Sequence, residues 1–151
     1  MSWTTDPKVN GGSPIGPTFV VYERADGGKG YDREMALASV GKGWAGLINS
    51  LFDSITWNSK WNPNMGFNNV SINQVKEKFG TLRIYFSGGN PPEQDNKYAT
   101  YVEGYIGALG HMSRYICETC GAPGVLRKAS WVHTACDEHA KGEPFGPEDQ
   151  D

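Results

Sequence analysis

The sequence predicts an α+β fold, with two amphipathic helices packed on a small antiparallel sheet and a C-terminal knuckle of zinc-ribbon or treble-clef type. Three observations carry that expectation. Trp44, Leu47, Ile48, Leu51, Phe52 and Ile55 recur at the spacing of one helical face. Leu82, Ile84 and Phe86 alternate with Arg83, Tyr85 and Ser87, the period of a strand with one face buried. Cys117, Cys120, Cys136 and His139 form two pairs, each with two residues between its members. The chain has 151 residues, the size of one domain, and its 38% apolar and 12% aromatic content can fill a core. Its 20 Gly and 9 Pro call for many turns.

Residues 1–17 hold Gly11, Gly12, Gly16 and three prolines with little apolar periodicity, which predicts a flexible arm. An α+β body is expected over 18–116, the knuckle over 117–139 and an acidic tail over 140–151. Phe19-Val20-Val21-Tyr22 reads as a short strand that Asp26-Gly27-Gly28 ends. The glycines around Lys29 lack the spacing of a phosphate-binding loop, so a surface loop is expected there. The first helix should end near Trp57-Asn58, because 58–69, with Pro63 and Gly66, is rich in turn formers. Trp57, Trp61 and Phe67 then fall in a loop, either covering the core or offering a stacking surface.

Val70 to Ser87 reads as a hairpin turning at Phe79-Gly80. On its first arm Val75 and Phe79 share a face with Glu77, but Val70 and Ile72 have the opposite parity. A bulge near Asn73-Gln74 reconciles the two, since one extra residue switches the outward set. The outer face then gathers Lys76, Lys78, Arg83 and Tyr85. A solvated charged face is the simpler meaning. The alternative is a site for an anion, with stacking from Tyr85 or Trp61.

A second helix is expected from Tyr98, Tyr101, Val102, Tyr105, Ile106, Leu109 and Ile116, capped at Asn90 or Pro91 with Pro92, Glu93 and Asp95 in its first turn. Gly104, Gly107 and Gly110 lie three apart on it, which suggests a close backbone approach in helix packing.

Cys117-Glu118-Thr119-Cys120-Gly121 is a metal knuckle, and after fifteen residues between Cys120 and Cys136 comes Cys136-Asp137-Glu138-His139. Such pairs let one turn of backbone present two donors to the same tetrahedral ion, so structural zinc is the expected cofactor. Four protein donors leave no open position, which argues against catalytic zinc. Val125-Leu126-Arg127 and Trp131-Val132-His133 are the expected strands between the pairs. His133 has the wrong spacing for a ligand and His111 lies on the helix, so His139 is the better fourth donor. Three cysteines cannot close a disulfide framework.

The residues Gly43-Trp44, Leu47-Ile48, Gln74-Val75-Lys76-Glu77-Lys78-Phe79-Gly80-Thr81-Leu82-Arg83-Ile84-Tyr85-Phe86, Cys117-x2-Cys120-Gly121-x-Pro123-Gly124 and Trp131-x2-Thr134-x-Cys136-Asp137-x-His139 resemble a set of small accessory proteins of tailed bacteriophages. The similarity spans about 42–139 and implies a phage-encoded accessory protein with a helix, a hairpin, a second helix and a terminal zinc knuckle. No activity or catalytic residue is carried over with it.

Residues 137–151 carry a net charge of −5 and the rest of the chain +2, a poor balance for strong nonspecific DNA binding. The sequence has no Gly-x-Ser-x-Gly elbow or His-Glu-x-x-His helix, and its thiols are assigned to metal, so no enzyme is expected. No apolar run is long enough to span a membrane or form a signal-peptide core, so a cytosolic chain is expected, and the phage resemblance implies the host cytoplasm. The expected function is noncatalytic binding or sequestration of a host factor, a protein or a small anionic nucleotide, as counter-defence. Nucleic-acid binding through the knuckle is the alternative, and self-association is compatible with either.

Overall fold

The computed structural model describes residues 30–90 and 100–145. The arm at 1–17, the strand expected at Phe19–Tyr22, Tyr98, the cap region from Pro91 to Asp95 and the end of the acidic tail lie outside the described residues. The architecture is α+β, with helices and small antiparallel sheets. Among the described residues no helix is long and apolar enough to cross a membrane.

A helix not expected from the pattern opens the described chain. In α1 (Arg33–Ala38) the Asp32 carboxylate accepts the Met35 N–H at 2.8 Å and so caps the first turn. Six residues are too few to show an apolar stripe, and α1 is held by a partner instead. Arg33 donates to Asp53 Oδ1 at 2.7 Å and to Asn49 Oδ1 at 3.2 Å, with its guanidinium 5.8 Å from the centre of the Phe52 ring. Those three partners lie on the next helix.

Helix α2 (Ala45–Trp61) buries Leu47, Ile48, Leu51, Phe52 and Ile55, and fully buried Trp44 precedes it. Each such large side chain contributes about 1.5–3 kcal/mol when taken out of water. The helix runs past the expected stop at Trp57-Asn58. Its polar residues bond back along it: Thr56 Oγ1 donates to the Phe52 carbonyl at 3.0 Å, Asn58 Nδ2 to that of Ser54 at 2.9 Å and Ser59 Oγ to that of Ile55 at 2.5 Å. Turn-forming side chains thus find their partners within the helix, and Pro63 ends it. Trp57 and Trp61 are therefore helical and exposed, and of the three aromatics only Phe67 covers the core.

The hairpin follows the predicted register. Strands β1 (Ser71–Lys78) and β2 (Thr81–Ser87) pair antiparallel with Val75 opposite Ile84 and Lys76 opposite Arg83, and the register shifts between Ile72 and Gln74, where the bulge was expected. Phe79 and Gly80 have φ of 54° and 75°, which makes a two-residue turn of the kind that matches strand twist. Phe79 consequently leaves the strand alternation. It does not share the Val75 face, and 65% of it is exposed.

Helix α3 (Tyr101–Ser113) packs against β2 and is capped by Thr100, whose Oγ1 accepts the Glu103 N–H at 3.1 Å, not by Asn90. The expectation of a close approach holds at Gly110 alone, where an added Cβ would lie 3.2 Å from the Leu82 carbonyl oxygen. At Gly104 and Gly107 nothing lies within 4 Å. Buried Ser113 fixes the contact, since its Oγ accepts the Leu82 N–H at 2.9 Å and donates to the Gly110 carbonyl at 2.6 Å. Ile116 is not helical and instead bridges Pro123.

A second sheet has the order β4-β3-β5, built from β3 (Val125–Lys128), β4 (His133–Ala135) and β5 (Glu143–Pro144). Strand β4 begins two residues later than the predicted Trp131, and part of the expected tail supplies β5. This unit is sewn to the body by backbone. Gly43 N–H donates to the Glu118 carbonyl at 2.8 Å, and the Trp44 indole N–H to that of Ile116 at 2.9 Å. From the hairpin tip, the Gly80 carbonyl accepts Thr134 Oγ1 at 2.6 Å.

A Cβ on Gly43 would stand 1.9 Å from the Cys117 carbonyl oxygen, while one on Gly46 meets nothing within 4 Å. Gly43→Ala should therefore lower unfolding stability in urea by roughly 1–3 kcal/mol, a typical overpacking cost. Gly46→Ala should be neutral or stabilising by up to about 1 kcal/mol.

Candidate metal centre

Two tight turns present the donors. In the first, Cys117 N–H donates to the Ala122 carbonyl at 2.8 Å and Gly121 N–H to that of Cys117 at 2.9 Å. Gly121 closes this turn at φ 82°, a conformation glycine adopts freely. The second turn follows β4, with His139 N–H donating to the Cys136 carbonyl at 3.2 Å. Glu118 joins the two halves: its N–H donates to the Thr134 carbonyl at 3.0 Å and its Oε2 accepts the Thr134 N–H at 2.6 Å.

The donor atoms of Cys117, Cys120, Cys136 and His139 all lie within 4.8 Å of one another. Cys120 Sγ is 3.8 Å from Cys136 Sγ, and His139 Nδ1 is 3.8 Å from Cys117 Sγ and 3.3 Å from Cys136 Sγ. A tetrahedron with metal–sulfur bonds of about 2.3 Å has edges of about 3.8 Å, so the cluster has the size of a tetrahedral metal site. Cys117 is buried, Cys136 and His139 are half-buried, and Cys120 is exposed.

The electrostatics favour thiolate. Burial pushes the Cys117 thiol up, but backbone N–H groups at Cys136, Cys120 and Thr119 outweigh it and bring the thiol down to about 6. The His139 N–H and ring likewise lower the Cys136 thiol, and Cys136 in turn raises the His139 imidazole. Cys120 moves the other way: the Ala122 N–H favours its thiolate, but partial burial and the neighbouring thiols prevail. Burial also raises the Glu118 carboxyl, in opposition to its bond from Thr134.

Arg127 was not anticipated as a supporting residue. Its buried guanidinium donates through Nε to the Ala135 carbonyl at 2.9 Å and through Nη2 to Asp137 Oδ1 at 2.8 Å, bracing the turn that carries Cys136 and His139. The Asp137 side chain is fully exposed, so this ion pair contributes little and the bond to the carbonyl matters more. In sequence Arg127 is an ordinary strand cation, and only the fold shows what it faces. His133 is buried with Nε2 accepting the Lys141 N–H at 3.2 Å, and His111 is exposed on α3, so neither joins the donor cluster.

The hairpin face expected to hold an anion is partly assembled. Lys76 and Arg83 are cross-strand partners, Tyr85 lies opposite Gln74 on the same face, and Lys76 Nζ stands 6.0 Å from the centre of the Tyr85 ring. Lys78 shares that face opposite Thr81, with its Nζ 5.7 Å from the Phe79 ring centre. Trp61 stands on α2, 5.7 Å from Trp57 between ring centres, with Lys60 Nζ 4.9 Å from its own.

The cluster predicts one metal ion per chain, read by metal analysis, and Cys120→Ser should lower metal affinity and destabilise the segment from Ile116 onward. Because metal binds the thiolates, protons should compete with it increasingly as pH falls, first at Cys120, whose thiol is raised, and last at Cys117, whose thiol sits at about 6. The thiolate absorption of the cobalt-substituted protein should fade over that range and return on neutralisation. No family model, curated protein or solved structure matches this chain, and its functional reading rests on the site itself.

Proposed function

We propose that Cys117, Cys120, Cys136 and His139 hold a structural zinc ion in a ribbon-like knuckle, and that the chain is a noncatalytic phage accessory protein. In this reading it acts in the host cytoplasm as a counter-defence factor, binding or sequestering a host protein or a small anionic nucleotide. Three thiolates and an imidazole at tetrahedral spacing suit zinc above other common metals. The ribbon form is favoured because the second pair sits in a turn between β4 and β5, not at the start of a helix. Four protein donors complete the shell, which leaves no position for an activated water.

The observation that carries the binding reading is the exposure of tryptophan: Trp57, Trp61 and Trp131 are each about half exposed, at 45%, 56% and 53%. Tryptophan is among the residues most enriched at the centres of binding surfaces. Trp57 and Trp61 pair on one face of α2, which suits a protein partner. A second reading, nucleic-acid binding, draws on Trp131, where Lys141 Nζ stands 5.2 Å from the ring centre at the knuckle surface. The net charge of −3 weighs against it.

Native mass spectrometry of the chain purified from infected or expressing cells should show one zinc and a retained partner. The double change Trp57→Ala and Trp61→Ala should lower partner affinity tenfold or more, about 1.4 kcal/mol or greater, with metal content unchanged. A variant that keeps its partner would remove α2 from the interface.

A further inference from the structure

Arginine usage divides sharply within the described residues. Arg33 and Arg127 are tied to carboxylates and carbonyls. Arg83 and Arg114 are exposed, and among the described residues neither pairs with a carboxylate. Both line one cleft of about 570 Å3 between β2 and α3. That volume falls within the range of small-ligand sites, roughly 300–1,000 Å3.

The cleft combines charge with an apolar floor. Leu82, Ile84, Ile106 and Leu126 line it, together with His111 on α3, and no acidic residue among the described ones does. One wall at Gly107 is bare backbone, with nothing within 4 Å of the point where a Cβ would stand. At the rim, Phe79 is the non-glycine residue with positive φ, 54°, among the described residues, and its ring is 65% exposed. Asn, Asp or Gly would take that turn position with less strain, so the turn holds an aromatic ring at the cleft against its backbone preference.

We infer that this cleft binds a small organic phosphate bearing a flat ring, of nucleotide size. Guanidinium groups match phosphate oxygens as paired donors, which assigns Arg83 and Arg114 to the phosphate. The apolar floor and the Phe79 ring take the face of the base. His111 adds a ring N–H donor at the same wall. The inference rests on the nucleotide arm of the binding reading and moves its site from the outer hairpin face to the open edge of β2 beside α3, which Arg83 lines from one face and Leu82 and Ile84 from the other. Metal content and the Trp57 and Trp61 variants test the rest of that reading separately.

The test is calorimetric titration of the metal-loaded full chain with AMP, GMP, CMP and UMP, and with inorganic phosphate and adenosine as the separated parts. At least one mononucleotide should bind saturably at one per chain, and phosphate or adenosine alone at least tenfold more weakly. Arg83→Gln and Arg114→Gln should each weaken the bound nucleotide tenfold or more, and Gly107→Leu should block it by filling the cleft with the fold intact. Lys42→Gln, which removes one exposed charge from outside the cleft, should leave it unchanged. Absence of saturable binding of all four at about 1 mM would overturn the inference. So would equal weakening by Lys42→Gln, or a random single-stranded oligonucleotide that binds more tightly than every mononucleotide.

Discussion

The approach of Gly43 to the Cys117–Glu118 backbone is the contact on which the C-terminal half depends. It brings a helix start and the turn that carries Cys117 and Cys120 closer than any side chain permits, and the Gly43 N–H to Glu118 bond at 2.8 Å lies in that gap. Trp44, fully buried beside it, puts its ring in the core and its indole N–H on the Ile116 carbonyl. One residue thus serves both halves of the molecule. The hairpin tip adds the second fastening, through Gly80 and Thr134. The candidate metal cluster therefore sits at a joint of three elements, not in a detached finger.

This arrangement explains why a knuckle with a small apolar interior can hold its shape. Buried Arg127, Thr134 and His133 fill positions that a larger domain would give to leucine or valine; Arg127 and His133 bond within the unit, and the Thr134 hydroxyl donates to Gly80 of the hairpin. Polar interiors of that kind gain little from area burial and lose much if one partner moves. In the proposed reading, an ion held by the donor cluster at their centre would supply the missing cohesion, since the free energy of binding such an ion is largely free energy of folding.

Much of the fold could be read from residue spacing because the relevant periods are short and local. The buried stripe of α2, the bulge between Ile72 and Gln74 and the convergence of Cys117, Cys120, Cys136 and His139 all follow from parity or pair spacing. What escaped depends on which partner a side chain finds, near or distant, and spacing alone does not show that. The extent of α2 turned on Asn58 and Ser59 bonding back to their own helix. Helix α1 turned on Arg33 meeting Asp53, and Gly104 and Gly107 line open space where packing was expected. The roles of Gly43 and Arg127 are invisible until their neighbours are placed. The hairpin cations show both cases: Lys76 and Arg83 share a face as parity requires, but the edge of β2 also brings Arg83 to a cleft with Arg114.

The central claim is that metal closure holds the joint while the hydrophobic core holds the body. Amide hydrogen exchange, with and without a chelator, separates the two directly. Chelation should release the amides of Gly43, Glu118 and Thr134 and leave those of Ile48 to Ile55 in α2 protected. Unchanged protection at Gly43 and Thr134 after the metal is removed, or simultaneous loss across α2, would contradict it.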